Sequence, residues 1–173
     1  MFSYFDFYDI PVQFRLDKQN LRKRFLQRSR VLHPDFNTHQ TEQDTVLEEA
    51  TLNNKMYEIL SDDEKRLHYI LSEKGVLGEE SKNALPQSFL LDMMDINEAL
   101  MELEFDYQEE IFFKINKEIQ TFETSLYLTV NELLNTDNAH GLGDADWAKL
   151  KIFYLKRRYL LRILEKLRTF APQ

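Results

Sequence analysis

The chain has 173 residues, 43% of them hydrophobic and 13% aromatic, enough to build one domain or two small ones around a real core. It contains no cysteine, which excludes disulfides and thiolate metal sites. A net charge of −8 argues against general nucleic-acid binding, which needs a broad cationic footprint.

Four Gly and four Pro are few for an all-β chain, whose turns need them. Long runs of Leu, Glu, Lys and Met between breakers point instead to helices. The apolar runs are too short to span a bilayer. The opening MFSYFDFYDI has neither the basic start nor the apolar core of a signal peptide. A soluble, reducing compartment, such as the cytoplasm, is therefore expected. Charge is unevenly placed: net −2 over residues 1–75, −11 over 76–143 and +5 over 144–173. An acidic middle followed by a basic end predicts helices that pack with complementary sign.

In chain order, YFDFYDI (residues 4–10) predicts one or two helical turns pinned by Phe5, Tyr8 and Ile10 and ended by Pro11. Asp17 is a plausible N-cap for the next helix, whose apolar stripe is Leu21, Phe25 and Leu32 with Ser29 as a small member. Arg28 falls where that stripe prefers an apolar residue, so its stem is expected to snorkel. This stretch is strongly basic: Arg15, Lys18, Arg22, Lys23, Arg24, Arg28 and Arg30 stand against Asp17 alone. Like charges at i,i+4 weaken a helix, so the cluster reads as a docking surface. Pro34 stops the helix at a loop beginning His33-Pro34-Asp35.

Thr41 with Asp44 is a weak capping signal for a helix carrying Val46 or Leu47, Ala50, Asn53 or Asn54, Tyr57 and Leu60, expected antiparallel to the basic one. Ser61-Asp62-Asp63-Glu64 is a better capping box and opens a helix closed by Gly75. The segment VLGEESKNALPQ breaks the pattern. It predicts a linker over 76–85 between domains at 1–75 and 86–173. Pro86 then starts a helix with the inward seam Phe89, Met93, Ile96, Leu100 and Leu103. A long helix follows with Ile111, Ile115, Ile119, Phe122, Leu126, Val130 and Leu133 on one face. After the turn NTDNAHGLG, Asp144 is the expected cap of a last helix with Leu150, Phe153, Leu160, Leu164 and Leu167. Three amphipathic helices with short connections make an antiparallel bundle.

The basic helix, His33-Pro34-Asp35, and then Tyr57, Leu60, Asp62, Lys65-Arg66, Tyr69 and Gly75 form an ordered set that resembles a J domain. The remainder narrows the resemblance to the HscB family of iron–sulfur co-chaperones. Phe89-Leu90-Leu91-Asp92-Met93-Met94-Asp95-Ile96-Asn97-Glu98 is similar to that family's F-L-[ML]-E-x-[ML]-E-[IL]-x-E stretch, and YFDFYDIPVQFRLD to its opening. The chain departs from the pattern at Phe36, where many J domains have Lys, and at Arg28. It also lacks the cysteine-bearing N-terminal extension common in animal members.

The resemblance implies an all-α protein, a J domain followed by a three-helix bundle. It implies a co-chaperone without catalytic residues, metal or cofactor. Its HPD loop would stimulate the ATPase of a DnaK/HscA-type heat-shock chaperone, and its bundle would deliver an IscU-type scaffold, aiding cluster assembly and transfer. The chaperone-binding set would be His33, Pro34, Asp35, Arg22, Lys23, Arg24 and Arg30. Asp35 offers an anionic acceptor, Pro34 fixes the loop, and the cations steer the encounter.

Independently of family, Leu90, Leu91 and Met94 are left over once the inward seam is filled. Leu90, Met94, Glu98 and Glu102 share an i,i+4 line with Asp95 beside it, an acid-bordered apolar patch of the kind partners use. The resemblance makes this the scaffold-binding face and adds Ile152. The competing readings are a J-domain protein for another client, and a small hydrolase using His33 and Asp35, for which no nucleophile is evident. Plainer ones are a merely solvated basic face, and a Leu90/Leu91/Met94 patch packed on the J domain. His39, His68 and His140 show no metal spacing.

Overall fold

A computed structural model describes residues 3–32, 40–78 and 83–170, except for the side chains of 40–44. His33, Pro34, Asp35, Phe36 and His39 lie outside the described residues, as do the side chains of Thr41 and Asp44. Among the described residues the chain is helical, without strands. The helices are α1 (Ser3–Phe7), α2 (Lys18–Val31), α3 (Gln40–Ser61), α4 (Asp63–Glu73), α5 (Gln87–Asp92), α6 (Met94–Phe105), α7 (Glu109–Leu134) and α8 (Asp144–Thr169). A 3-10 turn covers Ala139–Gly141. No helix among the described residues is long and apolar enough to cross a membrane.

The chain divides into two compact units, 1–75 with 134–142, and 76–133 with 143–173. The expected division did not place residues 134–142 with the first unit. Backbone pairing draws them there: Ala139 N–H donates to the Val12 carbonyl at 2.8 Å. Gln13 Nε2 reaches the Asp137 carbonyl at 2.9 Å, and Arg15 reaches Asn135 Oδ1 at 2.6 Å.

In the first unit α1 stops at Phe7, before Pro11. Asp9 takes a left-handed φ of 50°, which Asp tolerates, and Ile10 N–H returns to the Phe5 carbonyl at 3.1 Å. Asp17 caps α2, accepting from Gln19 N and Asn20 N at 2.8 and 3.1 Å. Phe25 stacks on Tyr57 and Asn53 Nδ2 donates to Ser29 Oγ at 3.0 Å, so α2 and α3 run antiparallel. The structure chooses Val46 over Leu47 and Asn53 over Asn54, and adds buried Met56. The Tyr8 hydroxyl donates to Asn53 Oδ1 at 2.7 Å, and burial pushes its pKa up. Thus a polar link joins α1, α3 and α2 through an apolar core that includes Phe5, Val12, Phe14, Leu21, Leu32, Leu60, Ile70 and Leu71.

The cap of α4 is Asp62, not Ser61. Its carboxylate accepts from Glu64 N and Lys65 N at 2.9 and 2.8 Å, while the Ser61 hydroxyl turns back to the Glu58 carbonyl. Gly75 ends the element at φ +76°, a conformation that favours glycine, with its N–H on the Ser72 carbonyl.

In the second unit Phe89, Met93, Ile96, Leu100 and Leu103 bury against Ile115 and Ile119 of α7 and Leu160, Ile163 and Leu167 of α8. Ile111, Phe122, Leu126 and Leu164 pack around them, half-buried. The first bundle helix is interrupted at Met93, so it becomes α5 and α6. Hydrogen bonds from Met93 N–H to Phe89 and from Asn97 N–H to Met93 carry the repeat across the break. Gly143, not Asp144, is the N-cap of α8, and Asp146 Oδ2 accepts the Gly143 N–H at 3.2 Å. Complementary charge is realised in Lys166–Glu104 at 3.0 Å and Arg157–Glu123 at 3.4 Å.

Candidate partner-binding surfaces

The first surface lies on α2. Of the six cations of α2 and Arg15 just before it, four are engaged by their own unit. Arg15 holds Asn135, and Lys18 pairs with Asp63 at 3.3 Å. Arg24 donates to the Tyr8 carbonyl at 2.6 Å with Asp9 nearby at 3.7 Å. Arg28 donates to the Phe7 carbonyl at 3.0 Å and stands over the Phe7 ring, 4.7 Å from its centroid. The snorkelling expected of Arg28 therefore has a definite target. Arg22, Lys23 and Arg30 stay exposed and, with Gln19, Leu26 and Gln27, line one shallow depression on the outer side of α2. Leu26 and Val31, off the inward stripe of α2, add exposed apolar surface between and beside them. Of the four cations expected at a chaperone interface, three face outward and Arg24 is turned back.

The Tyr57, Leu60, Asp62, Lys65, Arg66, Tyr69 series has a different job. Tyr57 stacks on Phe25, and Tyr69 stacks on Tyr4 at 4.3 Å while its hydroxyl accepts the Tyr4 N–H. Lys65 pairs with Glu58. Arg66 is 1% exposed; it donates from Nε and Nη2 to the Phe14 carbonyl at 2.9 and 2.7 Å, to the Leu60 carbonyl, and to Asp63 at 2.7 Å. These residues fasten α4 to α3 and to the extended segment before α2, and so hold the cationic helix in place.

The second surface is the outer side of α5–α6. Leu90, Leu91, Met94, Asp95, Glu98 and Glu102 are all exposed, so the apolar three are not consumed by packing. Ile152 lies on another helix, α8, and is half-buried. Met101 and Phe105, not singled out from the sequence, are also exposed on α6. Their signal was present as an apolar residue every three or four positions outside the inward seam. Among the described residues no three His, Asp or Glu side chains gather as a metal site.

Two family models cover most of the chain. The DnaJ domain model matches residues 4–69 and the HSCB C-terminal oligomerisation domain model matches residues 85–168. The human iron-sulfur cluster co-chaperone protein HscB is 30% identical over 170 residues, 96% of this chain and 67% of the human protein. The chain belongs to the HscB family. A further HscB homologue, from Photobacterium profundum, is 28% identical over 168 residues, 95% of this chain and 97% of its own. The crystal structure of human HscB superposes with a TM-score of 0.73 at 28% identity, covering 96% of this chain and 80% of that one. HscB from Vibrio cholerae shares the fold at 18% identity and TM-score 0.69, covering 96% and 95%. As an HscB-type J-domain co-chaperone, the chain carries its two candidate surfaces on the two halves that the family models match separately.

Proposed function

We propose that this protein serves iron–sulfur cluster assembly by recruiting an ATP-dependent Hsp70-type chaperone of the DnaK/HscA kind to an IscU-type scaffold protein in the bacterial cytoplasm. It has no active site of its own. The J unit docks through His33-Pro34-Asp35 and through Arg22, Lys23 and Arg30, with Arg24 positioned behind them, and promotes ATP hydrolysis by the chaperone. The bundle presents Leu90, Leu91 and Met94, bordered by Asp95, Glu98 and Glu102 and supplemented by Ile152, to the scaffold. The observation that carries this reading is the coexistence of two unspent surfaces of opposite sign. One is a cationic outer face on α2, leading into the HPD sequence; the other is an acid-edged apolar face on α5–α6. Each suits a different partner by charge.

Steady-state ATPase turnover of the cognate chaperone, with and without scaffold, tests the proposal. Stimulation by this protein should rise further when scaffold is added. Asp35→Asn should abolish stimulation while leaving the helical circular dichroism unchanged. Leu90→Ala with Met94→Ala should weaken scaffold binding and spare scaffold-free stimulation. Full stimulation by folded Asp35→Asn would defeat docking through the HPD loop.

A further inference from the structure

Helices α5 and α6 carry two apolar stripes of the same period. The inner one, Phe89, Met93, Ile96, Leu100 and Leu103, advances by 4, 3, 4 and 3 residues and is buried in the bundle core. The outer one, Leu91, Met94, Glu98, Met101 and Phe105, advances by 3, 4, 3 and 4. It starts two residues after the inner one, which on a helix is a rotation of about 200°, so it occupies the opposite side. Its apolar members are 58%, 51%, 60% and 93% exposed in order. An alternation of three and four is the spacing that lets one helix lie along another with side chains interdigitating. From Leu91 to Phe105 the ridge runs roughly 21 Å at 1.5 Å per residue. Nothing in the bundle requires it, because the inner stripe already supplies the core.

Charge selects the occupant. Asp95, Glu98 and Glu102 lie along the ridge, Glu109 and Glu110 open the next helix, and residues 76–143 carry a net −11. A second copy of this chain docked ridge to ridge would set carboxylates against carboxylates, which is destabilising across a helix pair. A helix with Lys or Arg beside its apolar stripe would be attracted.

We propose that the ridge Leu91–Met94–Glu98–Met101–Phe105 docks, along its whole length, an amphipathic helix of the scaffold client whose apolar stripe is flanked by basic residues. Glu98, the one charged member of the ridge, pairs with a cation of that helix and sets its register. This rests on the reading of α5–α6 as the client-binding face. It carries the apolar part of that face past Met94 to Met101 and Phe105, and specifies the kind of element that binds there.

The test measures affinity of the purified scaffold protein for the full chain by calorimetry, at low and high salt. Met101→Ser with Phe105→Ser should weaken binding at least ten-fold, with unchanged circular dichroism because both side chains are exposed. Glu98→Lys should weaken binding more than Glu98→Gln, and the wild-type affinity should fall with salt more steeply than that of Glu98→Gln. If Leu90→Ala with Met94→Ala abolishes binding and the Met101/Phe105 pair leaves it intact, the extended ridge is overturned and the client-binding face survives. If neither pair changes binding, the client-binding face itself is wrong. If the Met101/Phe105 pair instead changes the sedimentation of the protein alone, the occupant is a second copy and the proposal fails.

Discussion

In the first unit directional polar bonds join apolar packing in tying helix to helix. Arg66 is buried on the carbonyls of Phe14 and Leu60, Tyr8 is bonded to Asn53 and Asn53 to Ser29, and Arg24 and Arg28 reach back to the backbone of residues 7 and 8. In the second unit the helix-to-helix contacts are chiefly aliphatic: Leu100, Ile115, Ile119, Leu160 and Ile163 close on one another. The difference follows from what each unit must present. A cationic helix repels itself, and apolar packing alone would leave it free to roll; directional bonds fix its rotation. A bundle that needs a free outer face does better with one deep inner seam, since non-directional burial leaves the opposite side unspent.

Arg66→Ala should break that contrast most severely. It strands two carbonyls and removes a buried ion-paired group, at a cost of about 4 kcal/mol. Hydrogen exchange followed by mass spectrometry should show protection lost across α2, α3 and α4 and kept in α7; equal loss in both units would show that they unfold as one. Leu160→Ala should do the reverse. Leu160 is fully buried, and the cavity should cost about 3 kcal/mol, lowering protection in α6, α7 and α8 first. Equal loss of protection in α2 and α6 would contradict the separation.

The smallest effect belongs to Asp63. Burial alone would raise its pKa, but the hydrogen bond and charge of Arg66, helped by Lys18, hold it below the ordinary carboxylate value. A depressed carboxylate stabilises the fold above its unfolded-state pKa, and that contribution fades as pH falls through the lower folded value. Asp63→Asn should therefore cost under about 1 kcal/mol at neutral pH, because the side chain is largely exposed. It should also flatten the loss of stability seen below about pH 4. Urea melts at several pH values measure both; an unchanged acid slope would assign it to other carboxylates.

Much of this architecture is legible in residue spacing. Phe89, Met93, Ile96, Leu100 and Leu103 declare an inward face, and Asp17 and Gly75 mark helix ends, because helical period and end chemistry are local properties. The misreadings are local competitions. Asp62 outcompeted Ser61 as a cap because its carboxylate reaches two N–H groups at once. Arg66, part of a recognisable series, gave no sign of being buried, since an arginine between Lys65 and Leu67 is indistinguishable from a solvated one until three carbonyl and carboxylate partners converge on it.

Sequence alone determined that the protein is helical, where its helices carry their apolar seams, and that charge is separated between α2 and the region after residue 76. Tertiary structure decided which cations are spent and which remain free, that residues 134–142 pack with the first unit, and that the stripe from Leu91 to Phe105 stays uncovered. Period and sign are written in near neighbours along the chain; exposure depends on which distant segments arrive to cover a face.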